Sequence, residues 1–282
     1  MKFLEFLKAI FIGIVEGITE WLPVSSTGHM ILVDEFIKLD VSDAFLEMFL
    51  VVIQLGAIAA VPVFFWNKLN PFSKKKSREE RRSTWTIWLK VIVGVLPAAV
   101  IGLLLDDIFD KYFYNEYKYV VVAIALIVYG VLFILIEKRN EGREYRVNDV
   151  HELSYKDSLM IGAFQVLALI PGTSRSGSTI IGGMLGGVSR VASAEFSFFM
   201  AIPVMLGASL LKVVKFVRDG FTVSGFEIGL LLTAMAVSFI VSIVSIKFLM
   251  DFVKKHSFAP FGIYRIILGV IVIGYFLVKS FI

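Results

Sequence analysis

Two short stretches hold most of the side chains that could do chemistry: "EGITEWLPVSSTGH" at 16–29 and "PGTSRSGST" at 171–179. Glu16 and Glu20 stand four residues apart, so on a helix they share one face, about one turn apart. Their flanks are apolar, with the run 11–15 before them and Trp21-Leu22 after. Arg175 is embedded in the same way, between the runs 167–170 and 180–181. Hydroxyls crowd both stretches. Ser25, Ser26 and Thr27 precede His29 in the first, and Thr173, Ser174, Ser176, Ser178 and Thr179 surround Arg175 in the second.

These residue types point to phosphoryl transfer. A pair of carboxylates offers hard oxygen ligands to a divalent cation. Mg²⁺ is typically held by one or two carboxylates plus substrate phosphates, and Ca²⁺ is the alternative. Zinc is disfavoured, because there is no cysteine and no H-E-x-x-H. Small residues and an arginine on a glycine-containing turn suit phosphate oxygens. Backbone N–H groups at the turn and the following helix start face the anion, and the guanidinium adds charge-assisted bonds. Pro171-Gly172 would open that turn, and Gly177 would let backbone approach closely. Ser26 and His29 are three apart and would meet if a helix begins there, which reads as a nucleophile beside a proton carrier. The plainer alternatives are a structural Glu–Arg pair and a Ser/Thr helix-packing surface. The second explains the hydroxyls but not Arg175.

Composition says where these residues must sit. Of 282 residues, 57% are hydrophobic and 18% charged, with mean hydropathy +0.82 and pI about 9.1. Soluble domains carry about a quarter charged residues, so an ordinary soluble enzyme is excluded, as are disordered and collagen-like chains. Continuous apolar runs exclude an outer-membrane barrel. A net charge of +4 then reads as loops facing anionic lipid, not as nucleic-acid binding. The apolar stretch from Phe3 contains Glu16 and Glu20 and no A-x-A site, so it is expected in the mature protein, not as a signal peptide. A charge at the bilayer centre costs about 2.5–3.5 kcal/mol on the gentlest scale. Three of them would need offsetting by pairing, water, a cation or an anionic ligand.

Six apolar segments read as spanning helices, near 44–66, 86–106, 117–137, 192–213, 226–249 and 259–281. Two more, near 3–32 and 158–188, are broken by Pro23 to Gly28 and by Pro171-Gly172-Thr173. Irregular backbone at membrane depth persists only where protein or a water-filled cavity satisfies it, so both read as re-entrant helix–loop–helix hairpins. Displaced by 149 residues, Gly13 meets Gly162, Glu16 meets Gln165, Ser25 meets Ser174 and Gly28 meets Gly177. Each hairpin is followed by a helix with a glutamate near its start (Glu47, Glu195) and Leu-Gly-Ala in its body. The expected fold is therefore an all-α integral membrane protein forming one domain, 1–282. Its repeats are 1–137 and 158–282, joined by a cytoplasmic connector at 138–157. One hairpin plus three spans is an odd number of crossings, so the repeats are expected to be inverted. The segments 67–90, 138–157, 188–191 and 247–257, assigned to the cytoplasm, hold 17 Lys/Arg against 9 on the other side and termini, in line with the positive-inside rule. Both termini then face outward and the hairpin tips meet near mid-depth. Trp21, Phe196, Phe198 and Phe199 are expected to pack or to touch lipid.

The two motifs resemble the signature segments of the undecaprenyl-diphosphate phosphatase family of the bacitracin-resistance type. The likeness extends over essentially the whole chain in length, span pattern and the basic loop with Lys74-Lys75-Lys76. It implies a bacterial inner-membrane enzyme that removes the terminal phosphate of undecaprenyl diphosphate, recycling the carrier lipid of cell-wall synthesis, with its site open to the outer face. Carried over residue by residue, it implies that Glu16 and Glu20 hold the metal. Ser26 is then the candidate nucleophile with His29 as acid–base partner. Arg175 binds the pyrophosphate, with Thr27, Ser174, Ser176 and Thr179 about it. Whether Ser26 or a water attacks stays open. The expected partners are the polyprenyl diphosphate lipid and the bilayer, with a homodimer as an option and no nucleic acid. The main rival is a secondary transporter or flippase of an anionic lipid, which shares inverted repeats and midplane charges but has no need of a nucleophile. Lipid phosphatases with histidine nucleophiles would require a second active-site histidine, and His151 and His256 fall in assigned loops. A purely structural scaffold is disfavoured by the cost of the buried charges.

Overall fold

The computed structural model describes residues 2–113 and 118–280. Among them there is no strand, only helices and one isolated pairing of Val147 with Val188. The helices are α1 (Lys2–Thr19), α2 (Ser26–Phe36), α3 (Asp43–Val52), α4 (Gln54–Phe64), the single turn α5 (Trp66–Leu69), α6 (Arg78–Phe113), α7 (Lys118–Asn140), α8 (Tyr155–Val166), α9 (Arg175–Leu185), α10 (Arg190–Arg218), α11 (Gly225–Val253) and α12 (Ala259–Ser280).

Among the described residues six segments are long and apolar enough to cross a membrane: Asp43–Phe64, Arg78–Leu105, Lys118–Asn140, Arg190–Arg218, Gly225–Val253 and Ala259–Lys279. They coincide with the six spans expected from hydropathy, with a longer polar start at α6 and a longer basic end at α10. The first is one span in two pieces. The helix tightens at Ile53, whose carbonyl accepts from Gly56 N at 2.9 Å. Large apolar side chains such as Leu103, Leu104, Leu210 and Val244 stand on the outside, which water would penalise and lipid does not.

The two broken segments share one construction. α1 stops at Thr19, and residues 20–25 turn before α2 begins. Pro23 has no N–H and disfavours helix for the residue before it. α8 stops at Val166, passes through a 3₁₀ turn at Leu167–Leu169, and α9 begins at Arg175. Gly172 turns with φ +89, and a side chain there would run into Val122 backbone at 2.6 Å. Ser25 (φ 74) and Ser174 (φ 72) are the only non-glycine residues with positive φ among those described. Each caps the helix it precedes, Ser25 Oγ accepting from Gly28 N at 3.2 Å and Ser174 Oγ from Gly177 N at 3.1 Å.

Packing carries the tips to one place. α1 lies along α11, α8 along α6, and α7 along α12. Small residues set the crossings, as is usual between membrane helices. A Cβ on Gly13 would sit 2.6 Å from the carbonyl of Ala234, and one on Gly162 would collide with the backbone of Gly94. α9 is buried almost throughout, whereas α2 is largely half-exposed.

Candidate active site

Glu20 is where the two broken segments meet. It lies one turn past Glu16, its N–H still bonded to the Glu16 carbonyl at 3.0 Å. Ser26 Oγ donates to Glu20 Oε2 at 2.9 Å, and Arg175 Nη2 donates to Glu20 Oε1 at 3.0 Å. The Glu20 and Arg175 side chains are 6% and 11% exposed, so the pair is buried. The other arm of the guanidinium donates from Nη1 to Ser197 O at 2.7 Å and Ser197 Oγ at 3.2 Å. Thr179 Oγ1 reaches Ser197 Oγ at 2.7 Å and the Arg175 carbonyl at 2.9 Å. Ser174 Oγ and Ser176 Oγ stand 3.2 Å apart, and Ser176 Oγ also donates to the Glu20 carbonyl at 3.4 Å. Thr27 is exposed at the start of α2. The sequence-derived group of Glu20, Ser26, Arg175, Ser174, Ser176 and Thr179 is therefore one hydrogen-bonded cluster.

His29 stands apart from the expected Ser26–His29 contact. Its Nδ1 faces the Ser25 carbonyl at 2.7 Å and its Nε2 faces Tyr264 OH at 2.7 Å. The hydroxyl of Ser26 turns to the carboxylate instead, because the first turn of α2 faces back across the break toward Glu20. Of the two outcomes expected for the aromatic residues, packing or touching lipid, they take packing. Trp21, Phe196, Phe198 and Phe199 are fully buried. Trp21 meets Phe198 edge-on at 5.0 Å, and the Arg175 guanidinium lies 5.9 Å from the Trp21 ring. The indole is thus a wall of the cluster.

Several buried atoms in this cluster have no hydrogen-bond partner: Glu16 Oε1, Trp21 Nε1 and Arg175 Nε. Such atoms are costly unless something else binds them. Glu16 Oε1 offers one hard oxygen, and Glu20 keeps lone pairs beyond the two its donors use. No group of three His, Asp or Glu gathers among the described residues, so a cation held by Glu16 and Glu20 would need its remaining ligands from phosphate and water, the ligand set Mg²⁺ accepts.

Sequence reasoning passed over Arg265, Ser197 and Tyr264. Arg265 carries the same signal that singled out Arg175, a charge inside an apolar span. It is fully buried and donates to Pro23 O at 3.2 Å, Gly172 O at 2.9 Å and Thr173 O at 2.8 Å. Ser197 and Tyr264 had no such signal, being ordinary residues of spanning helices.

The geometry can be set beside known proteins. The family model of the bacitracin resistance protein BacA matches residues 9–271. An undecaprenyl-diphosphatase of Enterococcus faecalis is 58% identical over 277 residues, 98% of this chain and 99% of that protein. One from Acetivibrio thermocellus is 60% identical over 97% of this chain and 98% of its own length. One from Desulfitobacterium hafniense is 58% identical with both chains fully covered. With an aligned family spanning both broken segments and relatives this similar from end to end, the chain belongs to the bacitracin resistance protein BacA family.

Proposed function

We propose that the chain hydrolyses the terminal phosphate of undecaprenyl diphosphate, giving undecaprenyl phosphate and inorganic phosphate. The carrying observation is Glu20, buried and bonded at once to Ser26 and Arg175 from two different broken segments. Relatives that cover the whole chain and bear the name undecaprenyl-diphosphatase support the same reading. The diphosphate would lie at the starts of α2 and α9, whose first N–H groups lack helical acceptors, with its polyprenyl tail in lipid beside the half-exposed α2. Arg175 would grip phosphate oxygens through Nε–H and the Nη2 hydrogen not given to Glu20, and Thr27, Ser174, Ser176 and Thr179 border them.

In the chemical step, Ser26 Oγ attacks the terminal phosphorus while Glu20 Oε2 accepts its proton. The bond from that phosphorus to the bridging oxygen breaks, and undecaprenyl phosphate departs. Water then attacks the seryl phosphate, the bond from phosphorus to Ser26 Oγ breaks, the proton held by Glu20 returns to Ser26 Oγ, and the water's proton leaves with inorganic phosphate and solvent. In the variant mechanism Ser26 orients a water that attacks directly. Glu16 and Glu20 would hold a divalent cation, Mg²⁺ in preference to Ca²⁺, which neutralises phosphate charge as it develops. His29, next to the Ser25 cap, supplies a proton to the leaving group through solvent or a small rearrangement of α2.

The finer architecture belongs to the same proposal. The segments 1–137 and 158–282 are read as inverted repeats, each opened by a re-entrant hairpin. The matched positive φ of Ser25 and Ser174 supports this, as do the matched crossings of Gly13 on α11 and Gly162 on α6. So does a reciprocal pair of ion bridges, Lys212 to Glu47 at 2.9 Å and Lys68 to Glu195 at 2.6 Å. The excess of Lys and Arg in 67–90 and 138–157 supports a cytoplasmic place for those segments, and the carrier-lipid recycling implied by the family resemblance supports a bacterial inner membrane with the site opening outward.

Phosphate release from a C55 diphosphate lipid by the purified chain in detergent, with no gradient, tests the function. An enzyme releases phosphate there and a transporter or flippase does not. S26A separates the mechanisms. A loss of more than about 10³-fold fits serine as nucleophile, and a loss nearer 10-fold fits serine as a guide for water.

A further inference from the structure

Arg265 is a fully buried charge to which the mechanism above gives no task. It sits on α12, outside both broken segments. Among the described residues it has no carboxylate partner. Its guanidinium contacts are three backbone carbonyls and the Tyr129 ring, 5.5 Å away. A cation left unpaired at this depth is expensive, so what it holds must matter. Pro23 belongs to the first tip, and Gly172 and Thr173 belong to the second. Nη1 takes the first and Nη2 takes the other two. One planar fork thus spans the gap between the tips. The accepting carbonyls lie in irregular backbone, which has no helical donor to satisfy them.

Those carbonyls stand next to the reacting groups. Pro23 is three residues before Ser26, and Thr173 is two before Arg175. Between each carbonyl and its reacting residue lies the strained serine, Ser25 or Ser174. Moving one tip relative to the other would therefore displace Ser26 Oγ or Arg175 Nη2 on the Glu20 carboxylate they share. We infer that Arg265 is a positioning residue. By bridging Pro23 to Gly172 and Thr173 it fixes the separation of the two tips, and through it the approach of Ser26 and Arg175 to Glu20. The inference rests on the phosphatase reading. Lysine would keep the charge but not the rigid fork, so charge and geometry can be tested separately.

The experiment measures kcat and KM for phosphate release from a C55 diphosphate lipid by the full chain in detergent, with Tm and elution profile as checks on folding. For folded R265K the expected result is kcat lower by about 100-fold, the effect of misplacing reacting groups by about 1 Å, with KM within about twofold. Unchanged kcat in folded R265K overturns the inference while leaving the phosphatase reading intact. So does a higher KM at unchanged kcat, which would make Arg265 a substrate ligand. Should R265K fail to fold, G177A decides. A Cβ on Gly177 would come within 3.1 Å of Arg265 Nη1, pushing the fork by a few tenths of an ångström, and within 3.3 Å of Ser174 Cβ. S174A is therefore measured beside it, and only the fall in kcat beyond that of S174A is counted. A fall in kcat on the order of 10-fold at constant KM supports the inference, and wild-type kcat overturns it. Wild-type chain that releases no phosphate overturns the phosphatase reading and this inference together.

Discussion

Replacing Glu20 by glutamine keeps the shape of the side chain and removes its charge, so E20Q separates what that charge does for stability from what it does for turnover. Arg175 would keep Ser197 as a partner but lose its counter-ion at 3.0 Å, in a pair whose members are 6% and 11% exposed. Breaking a buried pair from one side costs about 3–5 kcal/mol. Glutamine retains one acceptor oxygen, so the lower end applies, and about 3 kcal/mol lowers Tm by about 6–12 °C for a chain of this size. Turnover loses its proton acceptor at Ser26, worth about 10²–10⁴-fold. The second arm is E20Q/R175M, which removes the stranded cation as well. Removing both members of a buried pair is far less costly than removing one, so the double variant should recover more than half of the lost Tm. It should stay as inactive as either single variant. The assay is thermal unfolding in detergent alongside phosphate release. A double variant whose Tm falls by the sum of the singles would show that the two side chains are not coupled. An E20Q chain that turns over within tenfold of wild type would refute the role of the carboxylate.

The metal proposal predicts that EDTA stops turnover and that added Mg²⁺ restores it. E16Q should need at least about 10-fold more Mg²⁺ for half-maximal rate, and full activity in EDTA would remove the cation from the mechanism. G162A should destabilise by about 1–3 kcal/mol, because α8 and α6 would have to part where Gly162 meets Gly94; an unchanged Tm would contradict the close crossing. E137Q disturbs a buried cluster away from the site, where Glu137 accepts from Arg190 Nε at 2.9 Å and from Phe258 N at 2.7 Å. It should lower Tm by several degrees and leave kcat within about twofold, since neither partner touches the Glu20 cluster.

What was legible in the sequence follows from the physics of each feature. Spans are read from hydropathy, because lipid imposes a minimum apolar length on each helix. Glu16, Glu20 and Arg175 are read from cost, since a charge in an apolar run demands a reason. Arg265 obeys the same rule and could have been found by it, but no cluster of hydroxyls or glycines around it advertises a site. The Ser26–His29 contact failed for a different reason. Spacing fixes which residues share a helix face, not which way the first turn points. Here the left-handed Ser25 directs α2 so that Ser26 faces Glu20 and His29 faces Tyr264. Ser197 and Tyr264 were invisible because long-range packing alone recruits them.

Charge balance explains why so many ionisable groups can share one place without substrate. Glu16 and Glu20 come from the first broken segment, Arg175 from the second and Arg265 from α12. The formal charges of two carboxylates and two guanidinium groups sum to zero before substrate binds, although Arg265 faces carbonyls and not a carboxylate. A diphosphate upsets that balance by adding negative charge. The cluster has few ways to restore it. Arg265 is committed to three carbonyls and most of Arg175 to Glu20 and Ser197. The starts of α2 and α9 contribute only partial positive charge. A divalent cation held by Glu16 and Glu20 would supply the missing charge where the unpartnered oxygen of Glu16 stands. On this argument cation and diphosphate bind cooperatively. Raising Mg²⁺ should lower KM for the lipid in wild type, and E16Q should weaken that dependence. A KM independent of Mg²⁺ would mean that the protein balances the headgroup by itself.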